Sequence, residues 1–276
     1  MLILQPLTKK QILRKQSNKV VTTEIRRDPI TGKRMPIKGH LVELRDRIAK
    51  SVIAMVITTA ISFIFAKTMI LILKAPAKGI DFQAITPTEN IAVYFKVALA
   101  GGFIIAMPFL VYQAIAFIAP GLTSKERKNI LQLLPFVTLL FATGVAFSYF
   151  VALPPAMAFL GGFLSDVAEN VWRLTEYISV VTRMIIYVGL VFETPLIIMI
   201  LARMGLVTPQ WLAGKRKLWI ILAFVISALI TPTMDPINQS IIALPLIILL
   251  ELSIILSRFV YKKRAVKQSE EAAENI

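Results

Sequence analysis

Read for its apolar and polar positions, the chain has a polar first fifth, then six apolar stretches separated by polar connections. The stretches run about Ser51–Leu73, Ile91–Ile118, Ile130–Val151, Ile178–Ala202, Leu218–Ile230 and Ile237–Leu256. Most reach the roughly 20 apolar residues that carry a helix across a bilayer core, so the pattern predicts six transmembrane helices. Ahead of the first stretch, Leu41, Leu44 and Ile48 recur at spacings of three and four. That spacing predicts a short amphipathic helix over residues 40–49, suited to a membrane surface. Residues 1–39 carry no sustained apolar period and are expected to form a basic, disordered tail. The chain therefore divides into that tail, a six-span membrane domain over 40–258, and a second tail over 259–276.

Composition supports this class. Hydrophobic residues make up 57% of the chain and charged residues 17%, a split expected of a polytopic membrane protein. Met1–Pro6 is too short for the apolar core of a signal peptide, so the first span is expected to direct insertion. The net charge of +15 raises the question of nucleic acid. Its placement answers against it: 25 of the 31 Lys and Arg residues fall in residues 1–50, 123–128, 203–217 and 258–267. With an even number of spans, the positive-inside rule puts all these segments, and both termini, in the cytoplasm. Two long connections, Lys74–Asn90 and Ala152–Tyr177, and one very short one, Thr231–Pro236, then lie outside.

Irregularities within the spans point to sites. Glu193 lies in an apolar run with no other charge between Met184 and Ala202. An ionisable group at membrane depth costs roughly 3 kcal/mol or more, which makes it a functional candidate by default. Thr194 and Pro195 follow, and Pro195 frees the carbonyl of Val191. Pro108, Pro135 and Pro245 interrupt three other spans, and bent helices pack readily into a concave wall. The fifth stretch has about 13 residues, roughly 20 Å of helix. The sixth opens on the polar set Asn238-Gln239-Ser240. Two such short spans force local thinning or leave a water-accessible depression.

Chemistry at other positions is sparser. Cys is absent and His40 is the single histidine, which excludes thiolate and multi-histidine metal sites and cysteine nucleophiles. Metalloprotease, serine-hydrolase and nucleotide-cradle motifs are missing, so no catalytic residue, cofactor or metal is expected. Gly102 and Ala106 have the small-xxx-small spacing of close helix packing. Glu43 and Glu126 are acids in basic surroundings, beside Arg45 and Arg127, and together could bind cations on a ligand, because carboxylates take guanidinium groups bidentately. Glu251 is expected to pair with Arg258 or face a loop. Asp235, before Pro236, reads as ordinary turn chemistry.

Taken in order, several segments resemble the TatC family, the membrane receptor subunit of the twin-arginine protein translocase. They are His40-Leu-Val-Glu-Leu-Arg45, Met107-Pro-Phe-Leu-Val-Tyr-Gln113, Phe117-Ile-Ala-Pro-Gly-Leu122, Glu126-Arg127, Phe147-Ser-Tyr-Phe150, Phe192-Glu-Thr-Pro195, Thr231-Pro-Thr-Met-Asp235 with Gln239, Leu244-Pro-Leu246 and Glu251-Leu252. The chain differs in its long tail before His40, in Thr123-Ser-Lys125 where an aromatic residue is frequent, and in Met234 where Pro is frequent. The resemblance implies a receptor for the paired arginines of export signals, with Glu43 and Glu126 as acids of that site and Glu193 as the intramembrane polar position near TatA- and TatB-type single-span subunits. It also implies export of folded proteins driven by the proton gradient, self-association, and residence in a plasma (inner) or thylakoid membrane. The rival reading is an ion-coupled secondary transporter with Glu193 as proton carrier. Such folds usually carry internal repeats, and none is evident between residues 51–151 and 178–257.

Overall fold

The computed structural model describes residues 37–77, 80–118, 134–163, 171–233 and 235–274. The expected disordered tail (but for its last three residues), Glu126 and Arg127 lie outside the described residues. The described chain is almost entirely helical: α1 Ile37–Lys74, α2 Pro87–Ile118, α3 Leu134–Phe147, α4 Leu153–Gly162, α5 Leu174–Phe192, α6 Thr194–Met204, α7 Pro209–Gly214, α8 Arg216–Ile230 and α9 Pro236–Glu274. Five stretches are helical, long and apolar enough to cross a membrane: Leu41–Lys74, Pro87–Phe117, Leu134–Gly162, Leu174–Met204 and Pro236–Phe259. The fifth expected span appears as α8, whose 15 residues make about 22 Å of helix, less than the roughly 30 Å hydrocarbon core.

Three boundaries differ from expectation. The amphipathic helix over 40–49 is not separate: α1 runs through it without a break, because no Gly or Pro stands between His40 and Lys74. Leu41 and Ile48 stay exposed rather than packed on the protein. The third span does not end at Val151. A π-helical turn, Ser148–Ala152, joins α3 to α4, and the helix continues to Gly162. Pro154 and Pro155 sit in the first turn of α4, directly after the widened turn, in which the Leu153 N–H bonds to the Ser148 carbonyl. The fourth span is two helices, α5 and α6, broken at Glu193 ahead of Pro195.

The α5–α6 span is the most enclosed of the five and α1 the least. Tyr177, Ile178, Val181, Met184, Ile185, Val188, Gly189 and Phe192 form one buried stripe at helical period on α5. The main core gathers this stripe with Val97 of α2, Leu153 and Ala156 of α4, and Ile242 and Leu246 of α9. Small residues set the closest approaches. A Cβ built on Gly102 of α2 would fall 2.6 Å from Thr59 Cα of α1, and one on Gly189 of α5 2.7 Å from the Phe141 ring of α3.

A short parallel pair, β1 Phe82–Gln83 and β2 Trp172–Arg173, lies in the connections that enter α2 and α5. This pair marks one end of the bundle, the β end. Arg173 donates to Glu89 on α2 and, at 3.2 Å, to Glu176 on α5, so the two connections are also joined by charge. Tyr149 and Tyr177 donate to the carbonyls of Ile72 and Leu73, each at 2.7 Å, satisfying two acceptors left open where α1 ends.

The α1–α2 crossing makes a direct test. Gly102→Ala is expected to lower stability by about 1–3 kcal/mol, because its methyl group meets Thr59 backbone rather than a movable side-chain tip. Gly214→Ala meets nothing within 4 Å and should leave it nearly unchanged. Thermal midpoints of the two variants in detergent check this.

Candidate functional site

Glu193 caps the C-terminus of α5 and stands before the first turn of α6. Pro195 cannot donate a hydrogen bond to the Val191 carbonyl, and the Thr194 hydroxyl donates to it instead, at 2.5 Å. The Glu193 carbonyl accepts from the backbone N–H groups of Leu196 and Ile197 at 3.0 and 3.1 Å, which restarts the helix. The Val191 and Glu193 carbonyls at this break are therefore satisfied, and the Glu193 side chain is not. Glu193 is only 3% exposed, and both of its carboxylate oxygens are buried without a hydrogen-bond partner among the described residues. α3 packs closely on α5 just before this point: a Cβ on Gly144 of α3 would fall 2.8 Å from the Phe192 ring and 3.0 Å from Gly189 Cα. A buried carboxylate at such a break can take a proton, a cation or a polar group from another helix.

At the opposite end from the β pair, Glu43 sits on α1, half-buried. One of its oxygens accepts from Arg47 at 3.1 Å, and the other is buried without a partner. Arg47 also donates to Gln113 Oε1 of α2 at 3.0 Å. Gln113 is itself buried, so this three-residue chain ties the start of α1 to the end of α2. Arg45, expected beside Glu43, points outward and pairs with Asp46 at 3.0 Å, its side chain 76% exposed. Arg47 and Gln113 carried no role in the sequence reading. The i,i+4 spacing of Glu43 and Arg47 was the signal for the first. No spacing rule marks Gln113, which lies 66 residues from Arg47 in the chain.

The remaining acids have structural surroundings. Asp235 accepts from the Asn238 backbone N–H at 2.8 Å and from its side-chain amide at 2.9 Å, capping α9. Burial works to raise the Asp235 carboxyl, but these donations outweigh it and hold the group below its ordinary value. Gln239 donates to the Phe224 carbonyl of α8 at 2.9 Å, while its own carbonyl accepts from the Ser227 hydroxyl at 2.5 Å. Asp235 and Gln239 thus come together at the α8–α9 turn. Glu251 pairs with Arg216 of α8, through contacts of 2.8 and 2.9 Å, rather than with Arg258. Arg216 approaches from the neighbouring helix and presents two donors to the carboxylate at once. Among the described residues no cluster of His, Asp and Glu could hold a metal ion.

Comparison with known proteins covers most of the chain. Residues 39–245 match the family described as Sec-independent protein translocase protein (TatC). A TatC protein of Aquifex aeolicus (strain VF5) is 39% identical over 236 residues, 83% of this chain and 98% of that one. A tatC-like protein of Pyropia yezoensis, ycf43, is 39% identical over 215 residues, 78% of this chain and 85% of that one. A crystal structure of a twin-arginine translocase receptor, TatC, is similar with a TM-score of 0.69 at 40% identity, over 80% of this chain and 99% of that one.

Asp235 yields a test with a defined sign. Its carboxyl is held below its ordinary value, so its stabilising contribution is present at neutral pH and lost as pH falls below about 4, through the folded value. Asp235→Ala is expected to cost about 1 kcal/mol at pH 7 and progressively less in acid. Thermal melts of both proteins across pH 3 to 7 measure the difference.

Proposed function

The chain belongs to the TatC family of Sec-independent protein translocase proteins, and from that premise we propose that it is the signal-peptide receptor and core subunit of a twin-arginine translocase. In this reading the apolar helices span the membrane six times, α8 and the apolar part of α9 being the two short spans. Both termini face the cytoplasm, and the bent helices form a concave wall. The end of α1 and α2 opposite the β pair is then the cytoplasmic rim. Its acids, Glu43 and Glu126, receive the paired arginines of an export signal, within a basic surround that includes Arg45 and Arg127.

Glu43 shows how such a site could work. Arg47 occupies one carboxylate oxygen and leaves the other open. An incoming guanidinium can take the open oxygen, or displace Arg47 and bind both oxygens. The basic residues nearby repel a dicationic ligand in general, so the carboxylates confer the selectivity.

Glu193 carries the rest of the reading. Its buried, unpartnered carboxylate is a point where a polar group on a TatA- or TatB-type single-span helix can dock, and the exchange of such helices is coupled to the proton gradient. Passage of folded proteins then follows from recruiting further subunits and from self-association of the receptor, in a plasma (inner) membrane or a thylakoid membrane. The same carboxylate would suit a proton carrier for small solutes, but the family's role in protein translocation favours the receptor. Uptake of small solutes into proteoliposomes, blocked by Glu193→Gln, would reverse that preference.

Two measurements test the assignment. Glu126→Lys is expected to abolish crosslinking of a twin-arginine peptide without affecting membrane insertion, and Glu43→Gln to weaken peptide binding about tenfold or more. Undiminished crosslinking to Glu126→Lys refutes the acid-pair site. Glu193→Ala is expected to reduce co-purification of single-span subunits more than it reduces peptide binding, and equal recovery of subunits counts against the docking role.

A further inference from the structure

Of the cations inside the apolar spans, two lie on neighbouring helices, away from Glu193 and from the rim. Lys96 of α2 and Arg183 of α5 are both exposed. The Lys96 Nζ donates to the Ser179 hydroxyl at 2.7 Å, and Ser179 is one helical turn from Arg183 on the same face. Both helices start at the β end, so they run in the same direction. The spans Pro87–Phe117 and Leu174–Met204 have their midpoints at Gly102 and Gly189. Lys96 and Arg183 therefore each stand six residues from the middle, at matching depth. Six residues of helix rise about 9 Å, against a hydrocarbon half-thickness of about 15 Å. Long basic side chains at that depth reach the interface by snorkelling.

Lys96 reaches Ser179 and Arg183 stands one turn from it, so the two positive groups share one stretch of surface and attract an anion. No acid pairs with either of them among the described residues, and the nearest acids toward the β end, Glu89 and Glu176, are both taken by Arg173. Deeper along the same two helices, Leu99, Tyr187 and Leu190 are exposed. The surface thus presents a cationic head and an apolar track leading toward the midplane. We infer that Lys96, which the Ser179 oxygen holds in place, and Arg183 bind the phosphate of an anionic phospholipid, whose acyl chains lie along Leu99, Tyr187 and Leu190. The assignment of this lipid to the outer leaflet rests on the topology proposed above, whereas binding itself does not depend on it.

Native mass spectrometry of the full-length protein, delipidated in detergent and offered phosphatidylglycerol or phosphatidylcholine, tests the site. The wild type is expected to retain phosphatidylglycerol with roughly tenfold preference. Lys96→Gln with Arg183→Gln removes that preference. Lys96→Arg with Arg183→Lys restores it, and Lys67→Gln, which alters another exposed cation, leaves it intact. Equal retention by wild type and the double Gln variant overturns the proposal, as does equal loss in Lys67→Gln. Displacement of the lipid by inorganic phosphate would reduce the site to a phosphate site without an acyl track, and overturns the lipid assignment. Loss of single-span subunits from the double Gln variant with lipid retention unchanged would assign the cations to a partner helix and likewise overturn it. Because the assay is done in micelles, labelling of the termini tests the topology separately, and either reading can fail alone.

Discussion

In hydrocarbon, a polar group without an internal partner costs several kcal/mol, and no water is at hand to repair it. The spans of this protein follow that constraint closely. Thr58, Thr138, Thr143, Ser179, Thr182 and Ser253 each donate to the carbonyl four residues earlier. The Thr194 hydroxyl answers the carbonyl that Pro195 leaves open. Against this background the two bare oxygens of Glu193 stand out, because the Val191 and Glu193 carbonyls beside them are bonded.

The same constraint shapes how the helices are joined. Where α1 ends, tyrosines from two other helices supply its missing donors. Between α8 and α9, Gln239 and Ser227 exchange bonds with opposing backbone carbonyls. At the start of α1, Arg47 links Glu43 to Gln113 on α2. These ties hold the ends of the helices, while Gly102, Gly144 and Gly189 allow their middles to approach closely. A frame fixed this way leaves few polar groups open. Among the buried carboxylate oxygens of the described residues, those without a partner, both of Glu193 and one of Glu43, are where binding energy from an outside group can be gained.

Much of the architecture was legible from hydropathy alone, because crossing a bilayer demands length and apolarity before anything else. The stretch Leu218–Ile230 became α8 within two residues. The break at Glu193 was legible from Pro195, since a missing N–H is a local property. The continuation of the third span through Leu153-Pro-Pro155 was not, because two prolines in a row read as a loop unless a π turn precedes them. The α1 extension was misread as a separate helix because charge begins at Lys50 and hides backbone continuity.

Local chemistry in the chain determined the apolar spans, the buried acid in one of them and the acid beside Arg45 at the start of α1, since each depends on residue type and short spacing. Only tertiary structure decided what those groups meet. Arg45 turns to Asp46 and Arg47 takes its place beside Glu43; Glu251 finds Arg216 on the neighbouring helix instead of Arg258 two turns beyond; Lys96 reaches across to Ser179. A side chain's partner is set by which helices lie side by side and how they are rotated, and that depends on packing between residues far apart in the chain.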